Sequence, residues 1–395
     1  MSGAAISSQR RVAAGLGSIS SAVRKNLSPT VKQPCLVGGN ETFSRPSSMF
    51  VAGSSCGAIA GTMARVALCV IARDEALRIG RLLDSVAGWV DEAVVADTGS
   101  RDDTAALARA YGARVIEVPW QHDFARARNA CLQAASADWH LVLDADEWLV
   151  AGGDWLRSLR EAPADAGFVG RVELHNLDEH GQRVAAERLS RLLPGALRYA
   201  GRVHEQPVHR LPLRDLPLQV AHDGYMPAAM AAKRGRNRAL LQLATAEHPE
   251  DAYLWYQLGK DCAAYEDPAG ALPAFERAAA LLQGQPRPPW WPDLVLRRLY
   301  MLQLGGRLEQ ALVLGAAEAA TLAAYPDLPF VLGNVWLDMA VREPARSAGA
   351  LARARQCWEQ ALQIGEQPAL AHAVAGRGSA APRHNLGLLA MLPGT

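Results

Sequence analysis

Between Val66 and Leu143 the chain repeats one cycle, a short apolar run followed by an amphipathic or polar stretch. Val66-Ala67-Leu68-Cys69-Val70-Ile71 is apolar at every position, as a parallel strand buried on both faces requires. Ile79, Leu82, Leu83 and Val86 then fall at i, i+3, i+4 and i+7, which predicts a helix, and Ala93 to Ala96 returns as a second strand. Asp102 or Asp103 caps the next predicted helix, which runs to Tyr111 with Gly112 at its stop, and Val115 to Val118 is the third strand. A helix from about Phe124 to Ala135 leads to the fourth strand, Trp139 to Leu143. This alternation means βαβ units, right-handed crossovers and a mainly parallel sheet, with ligands bound beyond the carboxyl ends of the strands.

From Phe168 the pattern is mixed. Phe168 to Leu174, Arg188 to Leu193 and Arg202 to Val208 read as strands that complete the first domain. After Lys233 the chain reads as helical, which places a boundary near Arg234 to Asn237 and divides the protein into an α/β domain over 63–235 and an all-α domain over 236–395. In the latter, Trp255, Leu258, Gly259, Ala271, Phe275 and Ala278 have the spacing of a tetratricopeptide repeat, where small and large residues interlock two antiparallel helices. Weaker hairpins follow at Leu294 to Ala324 and Val331 to Ile364, and His384-Asn385-Leu386-Gly387 reads as the start of another. The Pro-rich Gln285 to Pro292, with Trp290 and Trp291, reads as a stiff connection. Residues 1–62 are rich in Ser, Gly and Ala without hydrophobic periodicity and read as a disordered extension, either upstream of the true start at Met63 or an organelle-type targeting peptide.

Charge narrows the partners. With 41 basic and 40 acidic residues the chain has no long-range field for gathering nucleic acid or coating an anionic membrane. Its six cysteines, Cys35, Cys56, Cys69, Cys131, Cys262 and Cys357, lack the paired spacing of a zinc site or disulfide framework, which fits a reduced cytoplasmic compartment. No stretch reaches the roughly 20 apolar residues of a membrane-spanning helix. The expectation is a protein without transmembrane segment, soluble or at most peripheral at the inner face of the membrane.

Just past strands one, two and four stand Arg73-Asp74-Glu75, Asp97-Thr98-Gly99-Ser100 and Asp144-Ala145-Asp146-Glu147, so acidic groups gather where the cleft is expected. If the fourth strand continues through Asp144 and Asp146, both carboxylates point to one side and Ala145 to the other. Such a pair can grip Mg²⁺ or Mn²⁺, which take oxygen ligands and are commonly held by one or two carboxylates plus substrate phosphates. The ion would neutralise a leaving diphosphate.

VALCVIARDEA, VDEAVVADTGSRDDT, DFARARNA and DWHLVLDADE, in this order, closely resemble family-2-type glycosyltransferases of the A fold (GT-A). GRVHEQ, AHDGY and KRGRNRALLQLATAEHPEDAY extend the resemblance, over about residues 65–280, to a subgroup that carries helical repeats behind the catalytic domain and includes bacterial surface-polysaccharide and peptide glycosyltransferases. The resemblance implies that Asp97 contacts the nucleoside base, Asp144 the ribose or the metal, and Asp146 the metal and diphosphate, with Glu75 lining the nucleotide pocket. Asp97 also suits a turn ahead of Gly99. Arg128 and Asn129 either face the cleft, where Arg128 would contact the donor, or pair with the sheet edge. Arg73-Asp74 replaces a more usual Lys-Asn, and Asp223 stands where the subgroup tends to carry an aromatic.

Inverting transfer needs a base across the sugar from the metal. Glu205 is the candidate, with His204 orienting acceptor or phosphate; the competing reading is an ion pair of Glu205 with an Arg such as Arg202. His222 is a candidate to complete the metal shell.

The expected activity is transfer of a hexose from a nucleotide-diphosphate sugar to an acceptor hydroxyl of a glycan, lipid-linked glycan or peptide, with the repeats holding an acceptor, a partner protein or a second subunit. A rival of another class is a repeat scaffold carrying an inactive transferase-like domain; the intact Asp97, Asp144 and Asp146 argue against it. A nucleotidyltransferase would carry a Gly-rich phosphate loop after strand one, and Arg73-Asp74-Glu75 is not one.

Overall fold

The computed structural model describes residues 63–159, 167–177, 180–223 and 235–391. The extension expected over 1–62, with Cys35 and Cys56, lies outside the described residues, as do Gly224, Tyr225, Lys233 and Arg234 of the C-terminal motifs. The described chain divides into two compact units, with the boundary between Leu240 and Leu241.

The first unit is built on β1 (Val66–Ala72), β2 (Glu92–Asp97), β3 (Arg114–Glu117), β4 (Trp139–Asp144), β5 (Glu147–Ala151), β6 (Val169–Leu177), β7 (Arg183–Pro194) and β10 (Leu213–His222). They form one eight-stranded sheet in the order β3-β2-β1-β4-β7-β6-β10-β5. The half from β3 to β4 is parallel, as the alternation predicts. Beyond β4 the pairing is mixed: β7 is antiparallel to β4 and β6, β10 is parallel to β6, and β5 is antiparallel to β10.

The apolar run of β1 divides by pleat. Val66, Leu68 and Val70 enter one core, shared with Ile79, Leu82, Leu83 and Val86 of α1 (Ile79–Val86). Ala67 and Cys69 enter a second core on the opposite face, with Ala125, Cys131 and Leu132 of α3 (Phe124–Ala134). Leu82 is fully buried, so Leu82→Ala would cost about 2–5 kcal/mol.

α2 (Thr104–Ala110) is fastened by Asp102, not Asp103. Asp102 Oδ1 accepts from the Thr104 amide at 3.0 Å and Oδ2 from the Ala76 amide at 3.1 Å, which ties the loop after β2 to the loop after β1. Asp74 adds a second tie, its Oδ1 accepting from the Arg101 amide at 2.7 Å.

Two expectations about strands are corrected. β4 ends at Asp144, and Ala145-Asp146 form the turn into β5, so alternation along a strand does not govern the two acids. The run Arg202 to Val208 is not a strand either: only a small ribbon of β8 (Tyr199–Ala200) and β9 (Gln206–Pro207) forms there. Gly201 at φ +103° and His204 at φ +54° turn the backbone out of the extended region.

α4 (Gly153–Leu159) follows β5 in the first unit, and from α5 (Arg236–Glu247) onward the described chain is helical. α6 (Ala252–Ala264) and α7 (Pro268–Leu281) form the predicted hairpin, with Asp251 and Asp267 as side-chain caps and Gly259 packed against the Phe275 ring. α8 (Trp291–Leu304) with α9 (Leu308–Glu318), and α10 (Asp327–Arg342) with α11 (Ser347–Ile364), are the next pairs, and α12 (Ala380–Ala390) follows. Trp290 and Trp291 belong to this core, not to a linker: Trp290 stacks on Tyr256 at 4.5 Å and Trp291 Nε1 donates to Glu318 at 2.9 Å. His384 to Gly387, expected to begin a further hairpin, lie inside α12.

Candidate active site

The carboxyl ends of β1 and β4, the loop after β2 and the turn around β8 and β9 enclose an open cavity of about 320 Å³. Glu75, Arg128, Asp144, Asp146, His204, Glu205 and His222 all line it. Asp97 does not; its neighbour Thr98 does. The Asp97 carboxylate closes the turn instead, accepting from the Ser100 amide at 3.1 Å and from the Ser100 hydroxyl. Glu75 receives its own Arg78 at 3.1 Å.

Arg128 organises the floor. It lies in α3, which Asp123 caps by accepting from the Arg126 amide at 2.9 Å. Its Nη2 donates to Asp144 Oδ1 at 2.6 Å and its Nε to Glu205 Oε1 at 2.5 Å. The partner of Glu205 is therefore Arg128; Arg202 instead donates to the His122 carbonyl at 3.2 Å. Asn129 has a different task, exchanging two hydrogen bonds with the Tyr199 backbone at 2.8 and 2.9 Å and so positioning β8.

Arg191, on β7, reaches the second oxygen of Asp144 at 2.9 Å and also donates to Glu147. Glu147 is 2% exposed, and its other oxygen accepts from the Asp144 amide at 2.9 Å. Burial pushes the Asp144 carboxyl up, but Arg128 and Arg191 outweigh it and hold it far below the usual carboxylate range. Burial works against the charge on Arg128 as well, and Asp144 and Glu205 reverse it. For Glu147 burial prevails over Arg191, with Asp144 adding to it, and its carboxyl rises to about 7.

His222 is the last residue of β10 and pairs in register with Glu147, which brings its Nε2 to 3.4 Å from Asp146 Oδ2. One carboxylate and one imidazole side by side fit Mg²⁺ or Mn²⁺ only if further oxygens come from the substrate. Among the described residues no group of three His, Cys, Asp or Glu encloses an ion. Asp144 is engaged by two guanidiniums on separate oxygens, which favours Asp146 and His222 as the metal-facing pair.

Arg191 and Arg236 were not singled out from the sequence, although Arg191 interrupts the apolar positions Leu189, Leu192 and Leu193 of β7. Asp223, the departure from the subgroup, pairs with Arg81 at 2.6 Å and Arg78 at 3.3 Å, an ion-pair cluster where an aromatic would stack.

A mixed sheet with polar groups gathered beyond the carboxyl ends of its parallel strands defines an α/β domain whose ligand cleft lies at that end of the sheet. Residues 67–202 match the model of glycosyl transferase family 2, and the chain thus carries a family-2 glycosyltransferase domain followed by an all-helical region. A TPR repeat-containing protein of Synechococcus elongatus is 36% identical over 275 residues, 64% of this chain and 66% of that protein. The SPbeta prophage-derived glycosyltransferase SunS of Bacillus subtilis is 28% identical over 210 residues, 49% of this chain and 48% of SunS. The matches thus span less than two thirds of either relative. Among solved structures, glucosyl-3-phosphoglycerate synthase from Mycobacterium tuberculosis, in complex with Mn²⁺, uridine diphosphate and glucosyl-3-phosphoglycerate, is 25% identical over 30% of this chain and 45% of that one, with a TM-score of 0.23.

Proposed function

We propose that the protein transfers a hexose from a nucleotide-diphosphate sugar to an acceptor hydroxyl, with inversion at the anomeric carbon. The observation that carries this reading is the meeting, in one cavity of a family-2 domain, of the Asp144–Asp146 turn and His222 with Glu205. Asp146 and His222 would hold a divalent ion together with the donor's diphosphate. When bound, the ion supplies charge neutralisation for the leaving diphosphate. Asp144, fixed by Arg128 and Arg191, would receive the ribose, and Glu75 would line the nucleotide pocket. Asp97, whose carboxylate closes the Ser100 turn, would serve the nucleoside base by holding the loop beside Thr98 in the cavity wall.

Glu205 would take the acceptor proton as the acceptor oxygen bonds to the anomeric carbon and the bond to the diphosphate breaks, with His204 orienting the acceptor. The Arg128 Nε–H donates to Glu205 Oε1 and so fixes the carboxylate at the cavity wall. Acceptors of the glycan, lipid-linked or peptide class suit this chemistry, and the helical repeats offer a surface for a partner or second subunit.

The test is a nucleotide-sugar screen by calorimetry with and without Mn²⁺, followed by hydrolysis and transfer assays. The expected result is Mn²⁺-dependent binding of one sugar nucleotide, lost in Asp146→Ala. Glu205→Gln should keep donor binding and lose transfer. Absence of binding to the intact protein, or normal turnover by Asp146→Ala, would overturn the metal assignment, and unaltered transfer by Glu205→Gln would remove it as base.

A further inference from the structure

Between α11 and α12 the chain makes a closed loop. Gly365 and Gly378 approach so tightly that a Cβ on Gly378 would lie 2.2 Å from the Gly365 carbonyl. Glu366 locks this neck, its Oε1 accepting from the Gly376 amide at 3.0 Å, the Gly378 amide at 3.2 Å and the Ser379 hydroxyl at 2.6 Å. Residues 365–378 are an Ω-loop, a form whose touching ends allow its body to be shortened without parting the flanking helices.

The body of the loop lies against the first helices of the hairpins. Tyr325, just before α10, donates its hydroxyl to the Ala371 carbonyl at 3.2 Å. The Val374 amide and Arg377 Nη1 both donate to Asp327 Oδ1, at 3.2 and 3.0 Å. Asp327 is fully buried, Arg377 is 8% exposed at its side chain, and the guanidinium lies 5.5 Å from the Phe330 ring. His372, at φ +66°, faces Asp293 and Arg297 of α8 and Lys260 of α6.

A backbone amide and one guanidinium converging on a single buried carboxylate is how an extended peptide would be held on such a face. Packing alone does not call for it, since apolar residues commonly replace a buried ion pair without loss of stability. Stacked helix pairs offer a continuous face to extended ligands, and here the loop already occupies the Asp327 end of such a face.

We propose that the face built from α6, α8 and α10 is a binding site for an arginine-bearing, extended segment of a partner protein, and that the Ω-loop 365–378 is its resident competitor, displaced when the partner's arginine takes Asp327.

The test uses the full chain with residues 367–377 replaced by a short Gly-Ser linker. The probe is a synthetic peptide of residues 367–377, compared with the same peptide carrying Arg377→Ala. The shortened protein should bind the unaltered peptide about tenfold or more tightly than the native chain does, and the altered peptide should lose about tenfold or more. A shortened protein that keeps its helical circular dichroism but binds neither peptide, or both alike, would overturn the proposal. Should the shortened protein not fold, Arg377→Ala in the full chain carries the same question. It should raise hydrogen exchange at the Val374 amide and admit the peptide in trans; unchanged exchange and no peptide binding would overturn the proposal equally.

Discussion

Arg128 holds Asp144 and Glu205 at once, Nη2 to Asp144 Oδ1 at 2.6 Å and Nε to Glu205 Oε1 at 2.5 Å. It thus sets the spacing between the acid proposed for the donor and the acid proposed for the acceptor. Arg128→Met should leave Glu205, 10% exposed at its side chain, without its cation and cost about 3–5 kcal/mol. Arg128→Lys should recover part of that, because an ammonium keeps the charge but lacks the planar fork that spans two acids. Urea unfolding of the three proteins at pH 7 checks the order; equal midpoints would mean the bridge holds nothing.

Asp144 and Asp146, two residues apart, should respond differently to the same change. Asp144→Asn puts an amide between Arg128 and Arg191, leaves two buried guanidiniums without that carboxylate, and should destabilise by about 3–5 kcal/mol. Asp146→Asn weakens the contact with His222 and the attraction to Arg78 and Arg236, with no guanidinium bridging its two oxygens as at Asp144, and should change stability by only about 1 kcal/mol. Donor binding in Mn²⁺ should show the opposite emphasis for Asp146→Asn, with affinity lost and the fold intact. Calorimetric binding beside thermal melts separates the two; matched losses of stability would refute the division of labour.

The contrast also marks where the sequence runs out. The apolar runs of β1 and β4 and the spacing of Ile79, Leu82, Leu83 and Val86 were legible because a pattern of burial along one element is a local property. The acids at the strand ends were legible for the same reason. What partners they meet was not: Arg191 lies 47 residues from Asp144, and Glu205 lies 77 from Arg128, pairings that follow from strand order rather than spacing. The mixed half of the sheet hid likewise, since β5 joins it beside β10 rather than beside β4. Trp290 and Trp291 misled because the prolines around them resemble a linker, while the rings are helix-capping and first-turn residues packed on Tyr256 and Glu318.

In the helical unit the small residue of the repeat pattern is a steric requirement. A Cβ on Gly259 would lie 2.4 Å from the Phe275 ring, itself fully buried. Gly259→Ala gains helix propensity of about 1 kcal/mol but must push α6 and α7 apart, a cost of about 1–3 kcal/mol. Net destabilisation is expected, and Gly259→Ala combined with Phe275→Leu should recover part of it. Denaturant midpoints of the single and double variants test the coupling, and a stabilised single variant would show that the hairpin yields freely.

His140 gives the fold a pH dependence independent of the active site. It sits on β4 at 1% exposure, and neither ring nitrogen has a hydrogen-bond partner. Burial, with Arg198 adding to it and Glu92 opposing, lowers its pKa from 6.5 to about 4. The folded protein therefore keeps the ring neutral while the unfolded chain takes up a proton below pH 6.5. Stability is full above that pH and falls as the pH drops from 6.5 towards 4, by up to about 3 kcal/mol from this residue. His140→Leu removes the titrating ring, so the stability difference between variant and native protein should shift in the variant's favour across that window and stay constant above it. Urea unfolding at intervals from pH 7.5 to 4 measures this directly, and a difference independent of pH would show that His140 takes up its proton alike in the folded and unfolded chain.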